Sequence, residues 1–208
     1  MKVYFVRHAQ SSNNAHGLLH QYDEGELSEF GLKQAMFVAN RFGKIDIDVI
    51  ISSPFERAKE TAMIIEGVIK KPIKYTELLS EFRGPHETEG LPKDDPVVLR
   101  INKLMDENRH DAHWKFSNEE SYFELRKRAI DLSHFLKKQT NEHILCITHG
   151  LFLRVIIAVM MFGEELTREE LLKLMRFIKI DNTGITVCEL LKNNNWKLIT
   201  LNDHAHLG

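Results

Sequence analysis

The 208-residue chain carries only two cysteines, has no glycine-rich nucleotide loop, and shows no excess of either charge. Cys146 and Cys188 both lie inside apolar, strand-like segments, where buried free thiols are expected rather than a disulfide or a metal pair. With 28 basic and 30 acidic residues the formal net charge is -2, which argues against wholesale binding of nucleic acid or another polyanion. Any anion must be held by a local pocket. The longest uninterrupted apolar stretch, Val155 to Phe162, is too short to span a bilayer, and the amino terminus enters a strand at once without a signal-peptide layout. No membrane partner is expected, and a cytoplasmic location is. No repeat or low-complexity segment is present, and a 43% hydrophobic content suits a single domain over residues 1–208.

What is present is an alternation of short apolar runs and helical patterns. Val3-Tyr4-Phe5-Val6, Asp48 to Ser52 and His143 to Thr148 read as strands, and Ile73 to Tyr75 as a shorter one. Ile185 to Leu190 and Trp196 to Leu201 flank Asn193-Asn194-Asn195 and read as a terminal hairpin closing one sheet edge. Ser28 caps a helix carrying Phe30, Gln34, Phe37, Val38 and Phe42, and Thr167 to Glu170 is a capping box before Leu171 to Phe177. Ser53-Pro54-Phe55-Glu56 reads as another capping box, with proline at the first helical position and a helix running to about Val68. The expected fold is α/β, a three-layer sandwich whose mostly parallel central sheet is covered by helices on both faces.

Residues 81–118 interrupt that alternation. Gly84, Pro85, Gly90, Pro92 and Pro96 crowd the first half, and Val97, Val98, Ile101, Leu104 and Met105 follow at helical spacing. This stretch is read as a helical lid insertion over the strand ends.

Three predicted strands end on polar chemistry: Arg7-His8 after the first, Arg57 shortly after the second, and His149-Gly150 after the third. Open α/β sheets keep their sites at that rim. Two histidines and two arginines, without a catalytic cysteine or carboxylate cluster, fit phosphoryl transfer. Arginine's planar fork meets phosphoryl oxygens with paired hydrogen bonds, and a neutral imidazole is a competent nucleophile towards phosphorus. The other imidazole can donate to an equatorial oxygen.

Arg7-His8-Ala9-Gln10-Ser11 with Asn14, Leu27 to Ala35, Ser52 to Ala62, Thr148-His149-Gly150 and Asn182 to Ile185 together resemble the successive blocks of the histidine phosphatase superfamily, the phosphoglycerate mutase-like proteins. The resemblance covers nearly the whole chain. One departure is Ala9, where the family usually has glycine; alanine would cost about 1 kcal/mol if the position needed positive φ. The resemblance implies a phosphatase-branch phosphomonoesterase of the histidine acid phosphatase type, independent of metal and cofactor. It implies that His8 is phosphorylated and that Arg7, Arg57 and His149 hold the phosphoryl oxygens, with Asn14 and Gly150 at the phosphate. It also implies a carboxylic acid that protonates the leaving oxygen. Glu81 is the choice, with Glu77, Glu87 and Glu89 as competitors, and the acid is expected neutral and partly desolvated under the lid.

Two alternatives stand beside that reading. A phosphoglycerate mutase-type phosphotransferase is one, although Glu81 to His86 departs from the fuller acidic-arginine-tyrosine block of mutases. A non-catalytic phospho-ligand or protein-binding module is the other. His204 and His206 near the carboxyl end invite a metal reading, but lack a third and fourth ligand at recognised spacing. His16, His20 and His86 lie in loops near the expected pocket and read as solvated. The partner is a small-molecule phosphate ester whose identity is open, as is the oligomeric state.

Overall fold

The computed structural model describes residues 1–19 and 25–208; His20 lies outside them. In chain order the elements are β1 (Lys2–Arg7), α1 (Ser12–Ala15), α2 (Glu29–Phe42), β2 (Val49–Ser52), α3 (Glu56–Ile69), β3 (Ile73–Tyr75), α4 (Pro96–Glu107), α5 (Tyr122–Lys137), β4 (His143–Thr148), α6 (Gly150–Phe162), α7 (Arg168–Phe177), β5 (Ile185–Leu190) and β6 (Trp196–Asp203). The sheet runs β3-β2-β4-β1-β5-β6. Its first three pairings are parallel, and the β5–β6 hairpin joins β1 antiparallel at the edge.

The two faces of the sheet follow from residue alternation. Val3 and Phe5 point to one side, where Ile51, Ile144 and Cys146 join Leu132 and Leu136 of α5 and Phe152 and Val155 of α6. Val6 points to the other, where Ile50, Leu145 and Ile147 meet Val38 and Phe42 of α2 and Ala58 and Ile65 of α3. The sheet is thus mixed but mostly parallel and covered on both faces, as expected. Full burial of a side chain such as Phe5 is worth about 1.5–3 kcal/mol.

Caps explain most helix starts. Ser28 Oγ accepts the Gly31 N–H at 3.0 Å, and Thr167 with Glu170 forms a reciprocal capping box. A second box, Ser121 with Glu124, starts α5. Gly31 is required by close approach, because a Cβ there would stand 2.0 Å from the Gln10 carbonyl oxygen. The box expected at Ser53 is absent. Phe55 is the N-cap of α3, with extended backbone and no side-chain cap, so the helix begins two residues later than a Pro54 start requires. Arg57 still falls in its first turn.

Residues 81–118 do carry one α-helix, α4, capped by Asp95 with Pro96 in its first turn. The segment is tied to the loop after β1: Leu19 N–H donates to the Leu91 carbonyl at 2.9 Å, and Gly90 N–H donates to the Leu19 carbonyl at 2.9 Å.

Candidate active site

Strand register brings three polar ends together. Arg7 is paired with Thr148 and Ser52 with Ile147, so His8, Ser53 and His149 leave neighbouring strands at one level. Backbone bonds continue the ladder one residue further, from His8 N–H to the Thr148 carbonyl at 2.8 Å and from Ser53 N–H to the Ile147 carbonyl at 3.0 Å.

His8 is 3% exposed, and its ring Nδ1 lies 2.7 Å from the Ala9 carbonyl oxygen. A carbonyl only accepts, so Nδ1 carries the proton and Nε2 carries the lone pair. Arg57 Nε donates to that Nε2 at 3.3 Å. Arg57 is itself 2% exposed, and its main-chain carbonyl accepts from Thr61 Oγ1 at 2.7 Å. Thr61 Oγ1 in turn accepts the Ala9 N–H at 3.1 Å, which locks the turn after the histidine against α3. Ala9 is buried, and it is absent from the non-glycine residues of positive φ among those described. Alanine therefore sits there without backbone strain.

His149 is fully buried, with its ring 5.0 Å from that of His8. Burial first, and then the positive charge of Arg57, hold its imidazole well below the usual pKa of 6.5, so it is neutral near pH 7. Its Nε2 lies 2.8 Å from Ser53 Oγ, while its Nδ1 has no hydrogen-bond partner among the described residues. Arg7 donates through Nη1 to the Ile180 carbonyl at 2.8 Å, and its buried Nε is similarly without a partner. The guanidinium packs on Gly150, where a Cβ would meet Arg7 Nε at 3.1 Å. Two unsatisfied buried polar nitrogens on adjoining groups mark a place for a ligand, since such groups are otherwise paired.

Glu81 reaches the same corner in an arrangement the sequence did not suggest. Its carboxylate accepts from Phe152 N–H at 2.9 Å, Leu151 N–H at 3.2 Å and Phe82 N–H at 2.9 Å. It thereby satisfies the first turn of α6, whose N-cap His149 provides no side-chain cap. All three contacts come from backbone N–H donors. Glu77 instead accepts from Ser80 Oγ, and Glu87 from Ser117 Oγ. That Ser117 bond heads the causes that hold Glu87 below the usual carboxyl range.

Arg128 escaped the sequence reading, and Asn182 entered it only within a block of the family resemblance. Arg128 of α5 holds both Glu120 oxygens, at 2.8 and 2.7 Å, and donates to the Ser80 carbonyl at 2.7 Å. It thus fixes the segment that presents Glu81. Asn182 Nδ2 donates to the His8 carbonyl at 2.9 Å and lies 3.4 Å from Asn14 Oδ1, which places Asn14 beside the loop that follows β1. His206 bonds Thr183 Oγ1 at 3.0 Å and lies 3.4 Å from Arg41, which is ion-paired with Asp203. The closing histidine thus buttresses the Asn182–Thr183 turn. His16 bonds the Ser12 carbonyl, and His86 meets Asn118 on the surface. No helix among the described residues is long and apolar enough to cross a membrane.

Known proteins share this fold. A relative from Arabidopsis thaliana, named metal-independent phosphoserine phosphatase, is 27% identical over 215 residues, covering 100% of this chain and 83% of that protein. The crystal structure of the alpha-ribazole phosphatase from Shigella flexneri superposes with a TM-score of 0.81 at 20% identity, covering 98% of this chain and 96% of the other. That of a phosphoserine phosphatase mutant from Entamoeba histolytica, in complex with phosphoserine, gives 0.78 at 24% identity, covering 99% and 98%. The model of the histidine phosphatase superfamily, branch 1, matches residues 3–204, and the chain belongs to that superfamily.

Proposed function

We propose that the protein is a metal-independent phosphomonoesterase that works through a phosphohistidine at His8 and acts on a small phosphorylated metabolite. The observation that carries this reading is the pair of buried imidazoles in complementary states. His8 keeps its lone pair on Nε2, next to Arg57, while neutral His149 stands beside it with Nδ1 unpartnered.

In the first step His8 Nε2 attacks phosphorus, forming the N–P bond as the ester P–O bond breaks. Arg57 exchanges its contact with Nε2 for a phosphoryl oxygen, and Arg7 Nε and His149 Nδ1–H take the others. Glu81, protonated for the purpose and released from one α6 amide, delivers its proton to the departing alkoxide. In the second step the same carboxylate takes a proton from water, which attacks phosphorus and returns His8 to its starting state. Asn182 and Asn14 keep the His8 loop in place. The names of the Arabidopsis and Entamoeba relatives make O-phosphoserine one substrate to try first.

The test is hydrolysis of 4-nitrophenyl phosphate in excess chelator. Turnover that persists, is blocked by vanadate and is lost in His8→Ala is the expected result. Activity restored only by a divalent cation, or retained by His8→Ala, contradicts the reading.

A further inference from the structure

A cavity of about 480 Å³ lies among α4, α7 and the first turns of α5 and α6. Val98 and Met105 of α4, Leu172 and Met175 of α7, Trp114 and Tyr122 form much of its wall. Phe82 and Leu151 complete it, and these are two of the residues whose backbone N–H groups hold the Glu81 carboxylate. The wall therefore begins one residue from the group assigned to the leaving oxygen. The cavity thus adjoins the backbone that holds Glu81, while Arg7, His8, Arg57, Glu81 and His149 are not among its lining residues.

The charged groups in the wall other than Lys93 already have partners. Glu119 accepts from Phe116 and Ser117 N–H, and Glu120 is held by Arg128. Arg109 pairs with Asp106 at 3.5 Å, and Arg168 reaches the Met105 and Asp111 carbonyls at 3.5 and 3.4 Å. The Tyr122 hydroxyl donates to the Leu166 carbonyl at 2.7 Å. Lys93 is solvent-exposed. An amino-acid alcohol brings an ammonium and a carboxylate, which are costly to bury without committed partners. An apolar alcohol brings only surface that gains by leaving water. The volume also falls within the range of pockets that enclose drug-sized ligands, well beyond the needs of a hydroxymethyl group.

Building on the phosphatase reading, we infer that the substrate is a phosphomonoester of an apolar alcohol, aromatic or medium-chain alkyl, whose organic portion fills the cavity between α4 and α7. The phosphoryl group is its one charged part.

The experiment compares kcat/KM for ethyl, butyl and hexyl phosphates, whose alcohols are nearly equal in acidity, with that for O-phospho-L-serine. The expected result is a rise of about threefold per methylene, seen mainly in KM, and so a margin of at least about eightyfold over phosphoserine for the hexyl ester. Met175→Glu should flatten the series. Binding is read separately in Trp196→Phe enzyme, which leaves Trp114 as the fluorophore: hexylphosphonate should perturb its emission at lower concentration than methylphosphonate. A flat alkyl series, a preference for phosphoserine, or Trp114 emission that does not discriminate the two phosphonates overturns the inference and leaves the phosphatase reading standing. Chain-length-dependent phosphonate binding without hydrolysis of any ester supports the cavity assignment and overturns the phosphatase reading instead.

Discussion

Ser53 Oγ lies 2.8 Å from His149 Nε2 and also accepts the Phe55 N–H at 3.3 Å. A serine hydroxyl has one proton and two lone pairs, so it can accept that amide and still donate to the imidazole. In the proposed mechanism Ser53 is the donor, and His149 is the Nδ1–H tautomer that offers its proton to a phosphoryl oxygen. Ser53→Ala leaves a buried acceptor unpaired and the tautomer unset, at a cost of about 1–3 kcal/mol. The expected outcome is a fall of roughly tenfold to a hundredfold in kcat with little change in KM. Partial recovery is expected in Ser53→Thr. Nitrogen NMR of His149 should show Nδ1–H in the parent and a mixture of tautomers in Ser53→Ala, and an unchanged spectrum would count against the assignment.

Arg128 and Glu120 should behave as a unit. The pair is largely buried, and Arg128 also stacks over the Phe152 ring at 3.8 Å. Arg128→Met strands the Glu120 carboxylate and is expected to cost about 3–5 kcal/mol in urea unfolding, whereas Arg128→Met with Glu120→Gln should cost clearly less. Additive losses would mean that the two do not act together.

Acid should weaken the fold through its histidines. His206 is held down to about 4, by burial first and then by Arg41, and burial holds His149 well below 6.5. Between their unfolded value near 6.5 and these depressed values, the unfolded chain binds protons that the folded chain does not. Stability is therefore full above about pH 6.5 and falls as pH drops towards 4. Melting temperatures at pH 7 and pH 5 should differ less in His206→Gln than in the parent, and an identical difference would remove His206 from the explanation.

The parts of this site that were legible in the sequence are those attached directly to strand ends. His8 and His149 follow β1 and β4, and Arg57 lies one helical turn beyond β2, so local pattern was enough to place them. Ser53 was misread because serine three residues before glutamate is a helix-start signal; here an extended Phe55 displaces the start and turns the hydroxyl to His149. Arg128, and the contact that Asn182 makes from within its recognised block, were missed for a different reason. They act on Ser80 and His8 across separations of 48 and 174 residues, which only the folded sheet and helices close. Glu81 was chosen by family resemblance, but its engagement with α6 amides was not legible, because it depends on His149 leaving the α6 first turn without a side-chain cap.

Glu81→Gln separates proton delivery from helix capping. If Glu81 protonates the leaving oxygen, hydrolysis of alkyl phosphates should fall by about 10²–10⁴-fold, the usual range for a general acid, while phosphoryl transfer from 4-nitrophenyl phosphate is largely spared. A burst followed by slow turnover is expected with the nitrophenyl ester, because the same carboxylate activates water. Equal losses on both esters, without a burst, would make Glu81 a cap for α6 alone.

The most direct measurement is the position of phosphorus on the enzyme. Brief reaction with a labelled ester, alkaline quench and phosphorus–nitrogen NMR of the phosphorylated protein should show an acid-labile phosphohistidine at His8, bonded through Nε2, because Nδ1–H is engaged by the Ala9 carbonyl. Phosphorus on His8 Nδ1, on His149, or on an acid-stable serine such as Ser53 would contradict the account.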